Sequence, residues 1–312
     1  MKDTNSFAKT VKEEIVSQNY QDDRLLAILS SFTRVNGSLL IKHKKMSVQL
    51  RIENSKIAKF IYAAFQRIFQ IKPNISYLKK NNLNKNTCYL INLDDEKILE
   101  KLHINFLGNK VDNYFAGNKE KISGYLAGSF LASGSVNSPR SSNYHLEVSL
   151  NDYEYAKSFV SLVKKYKEVV FNLKITKRRD KYIVYLKRSD QIVNFLVLIG
   201  ATNACLYFED TRVGRDFDNM TNRLSNLDTA NYQKTIKAAK NDIKIINKLI
   251  KKNGLANLGN DKVILLATLR IKYPDDTLEN LAEKMSDELG DVVTKSNINH
   301  ILRAFREEGK NL

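Results

Sequence analysis

The first 200 residues of this 312-residue chain contain one order of secondary-structure elements twice, offset by about 97 residues. In each copy the spacing of apolar residues predicts helix, strand, strand, helix, strand, strand, helix. Short matches support the offset: Asn36-Gly37-Ser38 with Ser133-Gly134-Ser135, and Tyr89-Leu90 with Tyr185-Leu186. We therefore expect an α+β domain with a pseudo-twofold axis, built from αββαββα repeats at about residues 20–105 and 118–200.

The first helix of each repeat carries small side chains on one face. The second copy has Gly124, Ala127, Gly128 and Ala132, and the first copy offers Ala27, Ser30 and Ser31. Small residues would allow the two helices to approach closely, and the repeat favours this interpretation over chance glycines in a core helix. A glycine follows each helix, Gly37 and Gly134, and we expect these glycines to terminate the helices.

The positive charge of the chain is concentrated in the repeat region. The net charge is +17, and residues 1–209 hold 33 Lys/Arg against 19 Asp/Glu, whereas residues 210–312 hold 18 against 15. Such a balance indicates a polyanionic partner, nucleic acid first and an anionic membrane second. Some of the lysine excess is typical of the Lys- and Asn-rich proteins that AT-rich genomes encode.

Cysteine usage and hydropathy indicate a cytoplasmic protein. Cys88 and Cys205 are far apart and match no zinc spacing and no disulfide framework. The most apolar stretch, Phe195 to Phe208, falls short of the roughly 18 apolar residues of a membrane helix. We therefore expect a soluble chain without a membrane segment.

The C-terminal third is predicted to be helical after a linker. Residues 210–230 are polar, and we predict an irregular linker there between a domain at 1–209 and a domain at 229–312. Residues 229–252 then show apolar side chains at three- and four-residue spacing, which predicts one long helix. That helix could dock on either domain or only bridge them.

Three short helices are predicted at the C-terminus, Lys262–Lys272, Leu278–Leu289 and Lys295–Phe305. Their spacing is typical of a helix-turn-helix at about residues 276–309, whose last helix enters the major groove. The alternative is a small helical bundle with a solvated polar face, because residues 262–312 hold 8 Lys/Arg and 9 Asp/Glu.

The last helix supplies the candidate DNA contacts. We expect base-edge contacts from Asn297, Asn299 and Arg303 and phosphate contacts from Lys295 and Arg306. The complete candidate set is Thr294, Lys295, Ser296, Asn297, Asn299, His300, Arg303 and Arg306.

The stretch Leu126–Gly134 resembles the core motif of LAGLIDADG homing endonucleases without its acids. In that family the acid before the final glycine lies at the foot of a helix and holds the metal that cuts DNA. Here that position is Ser133, the earlier acidic position is Leu131, and the weaker motif of the first repeat places Asn36 there. Mg²⁺ needs hard carboxylate oxygen ligands. We therefore expect no metal, no cofactor and no enzymatic activity.

The chain as a whole is similar to the WhiA family, bacterial proteins with a degenerate LAGLIDADG domain joined to a C-terminal helix-turn-helix. The most specific stretches are Phe130–Val136, Tyr144–Glu147, Leu198–Ala201, Phe208–Asp210, Asn222–Asn231, Lys234-Thr235 with Ala238-Ala239, and Thr294–Arg303. The resemblance implies a DNA-binding transcription regulator of cell division and chromosome segregation, or of sporulation in some relatives, associated with the nucleoid. It assigns no physical role to Asn222–Asn231, which could dock the two domains or contact DNA.

The resemblance also implies a second, weaker set of DNA contacts. The equivalent sheets of homing endonucleases form a saddle over the major groove, which makes Arg51, Lys174 and Arg178 candidates on the sheet faces. Two alternatives to a regulator stay open. One is a nuclease or RNA-splicing maturase on the same scaffold, and the other is a structural adaptor whose first domain binds a protein partner.

Overall fold

A computed structural model describes residues 6–42, 45–79, 87–106 and 108–311. The chain forms two compact units, residues 1–215 and 216–312, so the division falls inside the predicted linker. The elements are, in chain order, α1 (Phe7–Ile15), α2 (Asp22–Asn36), β1 (Gly37–Lys42), β2 (Lys45–Ile52), α3 (Ser55–Phe69), β3 (Asn74–Lys79), β4 (Thr87–Leu93), α4 (Glu96–Lys101), α5 (Lys119–Ser133), β5 (Gly134–Val136), β6 (Leu146–Leu150), α6 (Tyr153–Lys164), β7 (Lys174–Arg178), β8 (Lys181–Leu186), α7 (Ser189–Leu198), α8 (Thr202–Asn253), α9 (Asp261–Lys272), α10 (Leu278–Leu289) and α11 (Lys295–Glu308). Within the described ranges, none of the helices combines the length and apolar character needed to cross a membrane.

Each predicted repeat forms a four-stranded antiparallel sheet with the same strand order. The first sheet is β1-β2-β4-β3 and the second is β5-β6-β8-β7. Side chains alternate across each strand, so that β6 buries Leu146, Val148 and Leu150 and turns Glu147 and Ser149 to the other face. The αββαββα prediction is confirmed for both repeats.

The helices α2 and α5 pack closely against each other at the centre of the first unit. A Cβ atom on Gly124 would lie 2.4 Å from the carbonyl oxygen of Arg24. A Cβ atom on Gly128 would lie 2.2 Å from the carbonyl oxygen of Ile28. Neither position has room for a side chain, which confirms the predicted close approach.

The glycines that follow α2 and α5 end these helices as predicted, but they do so without a left-handed conformation. Gly37 has φ −70° and Gly134 has φ −73°, which is ordinary extended backbone and not a left-handed cap. A Cβ atom on Gly37 would lie 2.4 Å from the Thr33 carbonyl oxygen, and one on Gly134 would lie 2.3 Å from the Phe130 ring. Lack of space, and not backbone conformation, requires glycine at both positions.

The predicted irregular linker at residues 210–230 is wrong, because this segment lies inside α8. It contains no proline, and its single glycine, Gly214, does not interrupt the helix. The overlooked signal is an apolar stripe at helical spacing, which consists of Val213, Phe217, Met220, Leu224 and Leu227. These side chains are exposed, so the pattern does not mark a core face of this chain.

The core of the second unit combines the last turns of α8 with the three C-terminal helices, as the helix-turn-helix prediction required. It contains Ile246, Leu249, Leu266, Leu269, Leu281, Met285, Ile298, Leu302 and Phe305. Gly290 ends α10 with a φ of +66°, a conformation that favours glycine. The chain then turns within four residues before α11 begins at Lys295.

Candidate nucleic-acid interface

The helix α11 is positioned by its cap and by one apolar face. The Thr294 side chain accepts a hydrogen bond from the Asn297 amide, and the Asn297 side chain accepts one from the Thr294 amide at 3.0 Å. This reciprocal cap fixes the helix start. Ile298, Leu302 and Phe305 are buried against the rest of the unit, so the opposite face of α11 is turned outward.

The outward face of α11 collects four of the predicted DNA-contacting residues. At about 100° per residue, positions 296, 299, 300 and 303 lie on one side of the helix. Ser296, Asn299, His300 and Arg303 are all exposed. This face offers hydroxyl, amide, imidazole and guanidinium groups, which are the groups that bond to base edges and phosphates.

The structure places Lys295 and Asn297 at the margins of this face. The Asn297 carboxamide oxygen already accepts the Thr294 amide, which reduces its capacity to bond an adenine edge. The Lys295 ammonium lies 2.6 Å from the Glu279 carboxylate of α10, and both side chains are exposed. Lys295 could therefore exchange this surface partner for a phosphate at little cost.

Arg306 does not face outward as predicted. Its guanidinium donates two hydrogen bonds, of 2.7 and 3.0 Å, to the Asp242 carboxylate of α8, and Asp242 is only 2% exposed. The same carboxylate raises the pKa of Arg306. The helical position of Arg306 lies next to the buried face, which the prediction overlooked. Arg306 therefore contributes to the packing of the helical unit.

The outer faces of the two sheets carry the weaker candidates. Arg51 and Lys174 are exposed, whereas the Arg178 guanidinium donates hydrogen bonds of 3.0 and 2.9 Å to both oxygens of Glu147. His145 also bonds to Glu147 at 2.7 Å. Burial acts to raise the pKa of the Glu147 carboxyl, but the hydrogen bonds with Arg178 and His145 together outweigh burial and lower that pKa. Glu147 thus neutralises Arg178 on this face.

The foot of the helix pair holds Asn36 and Ser133, the two positions at which the sequence resemblance predicts that metal-binding acids are missing. Asn36 is the last residue of α2 and Ser133 is the last residue of α5. The Asn36 amide donates to the Arg51 carbonyl oxygen at 3.1 Å and accepts from the Arg51 amide at 3.0 Å. A carboxylate could accept but not donate, so only a carboxamide satisfies both bonds.

The second position is equally unsuited to a cation. Among the described residues, the buried Ser133 hydroxyl has no hydrogen-bond partner, and Leu131 is 3% exposed. Among the residues that the structure describes, His, Cys, Asp and Glu side chains form no group of three or more that could hold a metal ion.

Sequence reasoning missed the helix α1 and the cavity beside it. The cavity, of about 850 Å³, is lined by the start of α1, by residues 54–57 and by Asn36. It also contains Lys12, whose pKa is lowered to about 8 by burial and whose Nζ lies 5.8 Å from the centre of the Phe130 ring. Phe7, Val11 and Ile15 follow one another at four-residue spacing, which is the helical signal that could have predicted α1.

Three family models match almost the whole length of the chain. Residues 23–105 match the WhiA N-terminal LAGLIDADG-like domain, residues 122–218 the WhiA LAGLIDADG-like domain, and residues 221–307 the WhiA C-terminal HTH domain. The chain belongs to the WhiA family. The family resemblance and the fold class inferred from the sequence are both confirmed.

Two curated relatives and one solved structure agree with this assignment. The probable cell division protein WhiA of Lactobacillus acidophilus is 36% identical, with 98% of this chain and 99% of that protein covered. The probable cell division protein WhiA of Enterococcus faecalis is 37% identical, with 98% of each chain covered. The crystal structure of full-length DUF199/WhiA from Thermotoga maritima has a TM-score of 0.61 at 19% identity and covers 99% of both chains, which supports the fold.

Proposed function

We propose that this chain is a non-catalytic, DNA-binding transcription regulator that acts in cell division and chromosome segregation, in the cytoplasm and associated with the nucleoid. The observation that carries the proposal is the outward face of α11, where Ser296, Asn299, His300 and Arg303 lie together and exposed. The helix-turn-helix arrangement presents such a face to the major groove. The names of the relatives from Lactobacillus acidophilus and Enterococcus faecalis supply the link to cell division.

Sequence-specific binding is tested by first mapping bound DNA across the genome and then measuring affinity for the preferred site by fluorescence anisotropy. Asn299→Ala and Arg303→Ala should each weaken binding by about 1–3 kcal/mol and relax the preference at one base position. Lys251→Ala is the matched control for Arg303→Ala, because it removes the same charge from an exposed position on α8. Equal losses in the control and in Arg303→Ala would refute base reading by α11.

The α+β unit is proposed to add phosphate contacts through its exposed sheet faces. Each phosphate neutralised steepens the dependence of log K on log salt by about 0.9. Arg51→Ala and Lys174→Ala should each flatten that dependence in the full chain. Arg178→Ala should flatten it less, because Glu147 already holds the Arg178 guanidinium. A salt dependence that none of the three variants alters would contradict this role.

Absence of cleavage follows from the residues at the foot of the helix pair. Asn36 is committed to the Arg51 backbone and Ser133 has no charge, so neither can replace a metal-binding carboxylate. Purified protein incubated with supercoiled plasmid and Mg²⁺ or Mn²⁺ should leave the plasmid intact. Cleavage that copurifies with the protein and disappears in an Asn36→Ala variant would refute the proposal.

A further inference from the structure

The apolar stripe on α8 has no partner within the described part of the chain. Its members, Val213, Phe217, Met220, Leu224 and Leu227, are between 52% and 70% exposed. All residues from 216 to 234 are exposed, so these side chains face solvent along several helical turns. A contiguous set of large exposed apolar residues marks a surface that binds another protein, a membrane or a ligand.

The spacing of the apolar stripe specifies the kind of partner. Its members follow one another at intervals of four, three, four and three residues. This is the 3.5-residue period of a left-handed coiled coil, which differs from the wider apolar face of a helix that packs on a globular core. In heptad notation Phe217 and Leu224 occupy a positions, and Val213, Met220 and Leu227 occupy d positions.

We propose that the apolar stripe binds the same stripe of a second copy of this chain in a parallel, two-stranded coiled coil. The inference is independent of the proposed function. A second copy is the proposed partner because the stripe is flanked by two opposite charges, Arg223 and Asp228, which would pair between two identical helices. In a parallel pair the g position of one helix faces the following e position of the other. Arg223 would then face Asp228 of the partner subunit, and the symmetric pair would form on the other side.

The residues at the ends of the apolar stripe favour the parallel arrangement and fix its register. Asn231 occupies the next a position, and a buried asparagine pair at a specifies register and a two-stranded state. Asp210 occupies the preceding a position, where two carboxylates would face each other. The coiled coil should therefore begin after Asp210 and continue to Asn231.

The area available predicts a weak dimer. Five half-exposed side chains offer roughly 100 Å² each, so that a dimer would bury roughly 1,000 Å² in total. This lies at the lower end of specific interfaces. Association should therefore depend on protein concentration in the micromolar range.

Sedimentation equilibrium of the full chain from 1 to 100 µM provides the first test. The apparent mass should rise with concentration toward that of two chains. Met220→Lys/Leu227→Lys should raise the dissociation constant by more than about 100-fold, because it places four lysines at d positions. Asn219→Lys/Asn226→Lys is the matched control, with the same added charge and the same spacing at exposed positions off the apolar stripe.

Since all four substituted residues are exposed, the circular dichroism of both variants should equal that of the unaltered chain. A monomer at every concentration would overturn the proposal. A dimer that weakens equally in both variants would also overturn it.

Disulfide formation tests the parallel register. In that register Leu227 faces Leu227 of the partner subunit, so a Leu227→Cys variant should form an interchain disulfide under mild oxidation. Asn226→Cys, one position away from the interface, should not. The native cysteines, Cys88 and Cys205, are buried. Cross-linking of the unaltered chain under the same conditions is therefore the control level against which both variants are compared. A dimer in which Leu227→Cys fails to cross-link would overturn the parallel arrangement.

Discussion

Replacing Arg306 by alanine should destabilise the helical unit and not merely remove a DNA contact. Its guanidinium forms a two-pronged ion pair with Asp242, which is 2% exposed. Removing one partner of a buried pair leaves an uncompensated charge and costs about 3–5 kcal/mol. The Arg306 side chain is 36% exposed, and the nearby Arg270 guanidinium also interacts with Asp242. Both features lower the expected loss to about 2–3 kcal/mol.

Hydrogen–deuterium exchange of the full chain measures this loss within the unit concerned. The sequence contains no tryptophan for a fluorescence reporter. Amides of α9 to α11 that exchange only when the unit opens should exchange roughly 30- to 150-fold faster in Arg306→Ala. Amides of the sheets β1–β4 and β5–β8 should be unaffected.

Arg303→Ala is the matched control on the same helix. Arg303 is 79% exposed and lies 4.0 Å from Glu307, a surface pair that contributes little. Its exchange rates should match those of the unaltered chain, while its DNA affinity falls. If Arg306→Ala weakened DNA binding without altering exchange, the structural role would be refuted and the original phosphate-contact interpretation of Arg306 would be restored.

Three further predictions test other parts of the structure. Burial lowers the pKa of Lys12 from 10.5 to about 8, so the unfolded chain binds the proton more tightly and the charged Lys12 destabilises the folded state by an amount that falls as pH rises between these values. Lys12→Met should therefore stabilise the protein by up to about 3 kcal/mol at pH 7 and by less at pH 10, as measured by thermal melts. An equal gain in stability at both pH values would contradict the assignment. Asn36→Asp should cost about 1–2 kcal/mol in chemical denaturation, since the carboxylate cannot donate to the Arg51 carbonyl; unchanged stability would argue against this bond. Gly128→Ala should lower the free energy of unfolding by about 1–3 kcal/mol, because the added methyl group clashes with α2. A methyl group at Gly214 meets nothing within 4 Å, so Gly214→Ala should raise the free energy of unfolding by up to about 1 kcal/mol. The opposite ranking of the two variants would refute the close approach of α2 and α5.

The periodicity of apolar residues was sufficient to predict both αββαββα repeats and the three C-terminal helices. Most of these elements bury one face, and such burial imposes a period of two on strands and of 3.6 on helices. The prediction of an irregular linker at residues 210–230 was wrong, because the helix there buries no face and therefore lacks the pattern that burial imposes. The 3.5-residue spacing of Val213 to Leu227 was nevertheless present in the sequence.

The sequence by itself determined the family and the repeat, because each depends only on which residues occupy which positions. The tertiary structure decided which candidate side chains are available to a ligand. Arg306, Arg178 and Asn297 are polar and lie where DNA contacts were expected, yet Asp242, Glu147 and the Thr294 backbone bond to them. Asp242 is 64 residues from Arg306 and Glu147 is 31 residues from Arg178, so no local pattern could reveal these partners. Folding brings the charges together, and the carboxylates then neutralise guanidinium groups that a polyanion would otherwise attract.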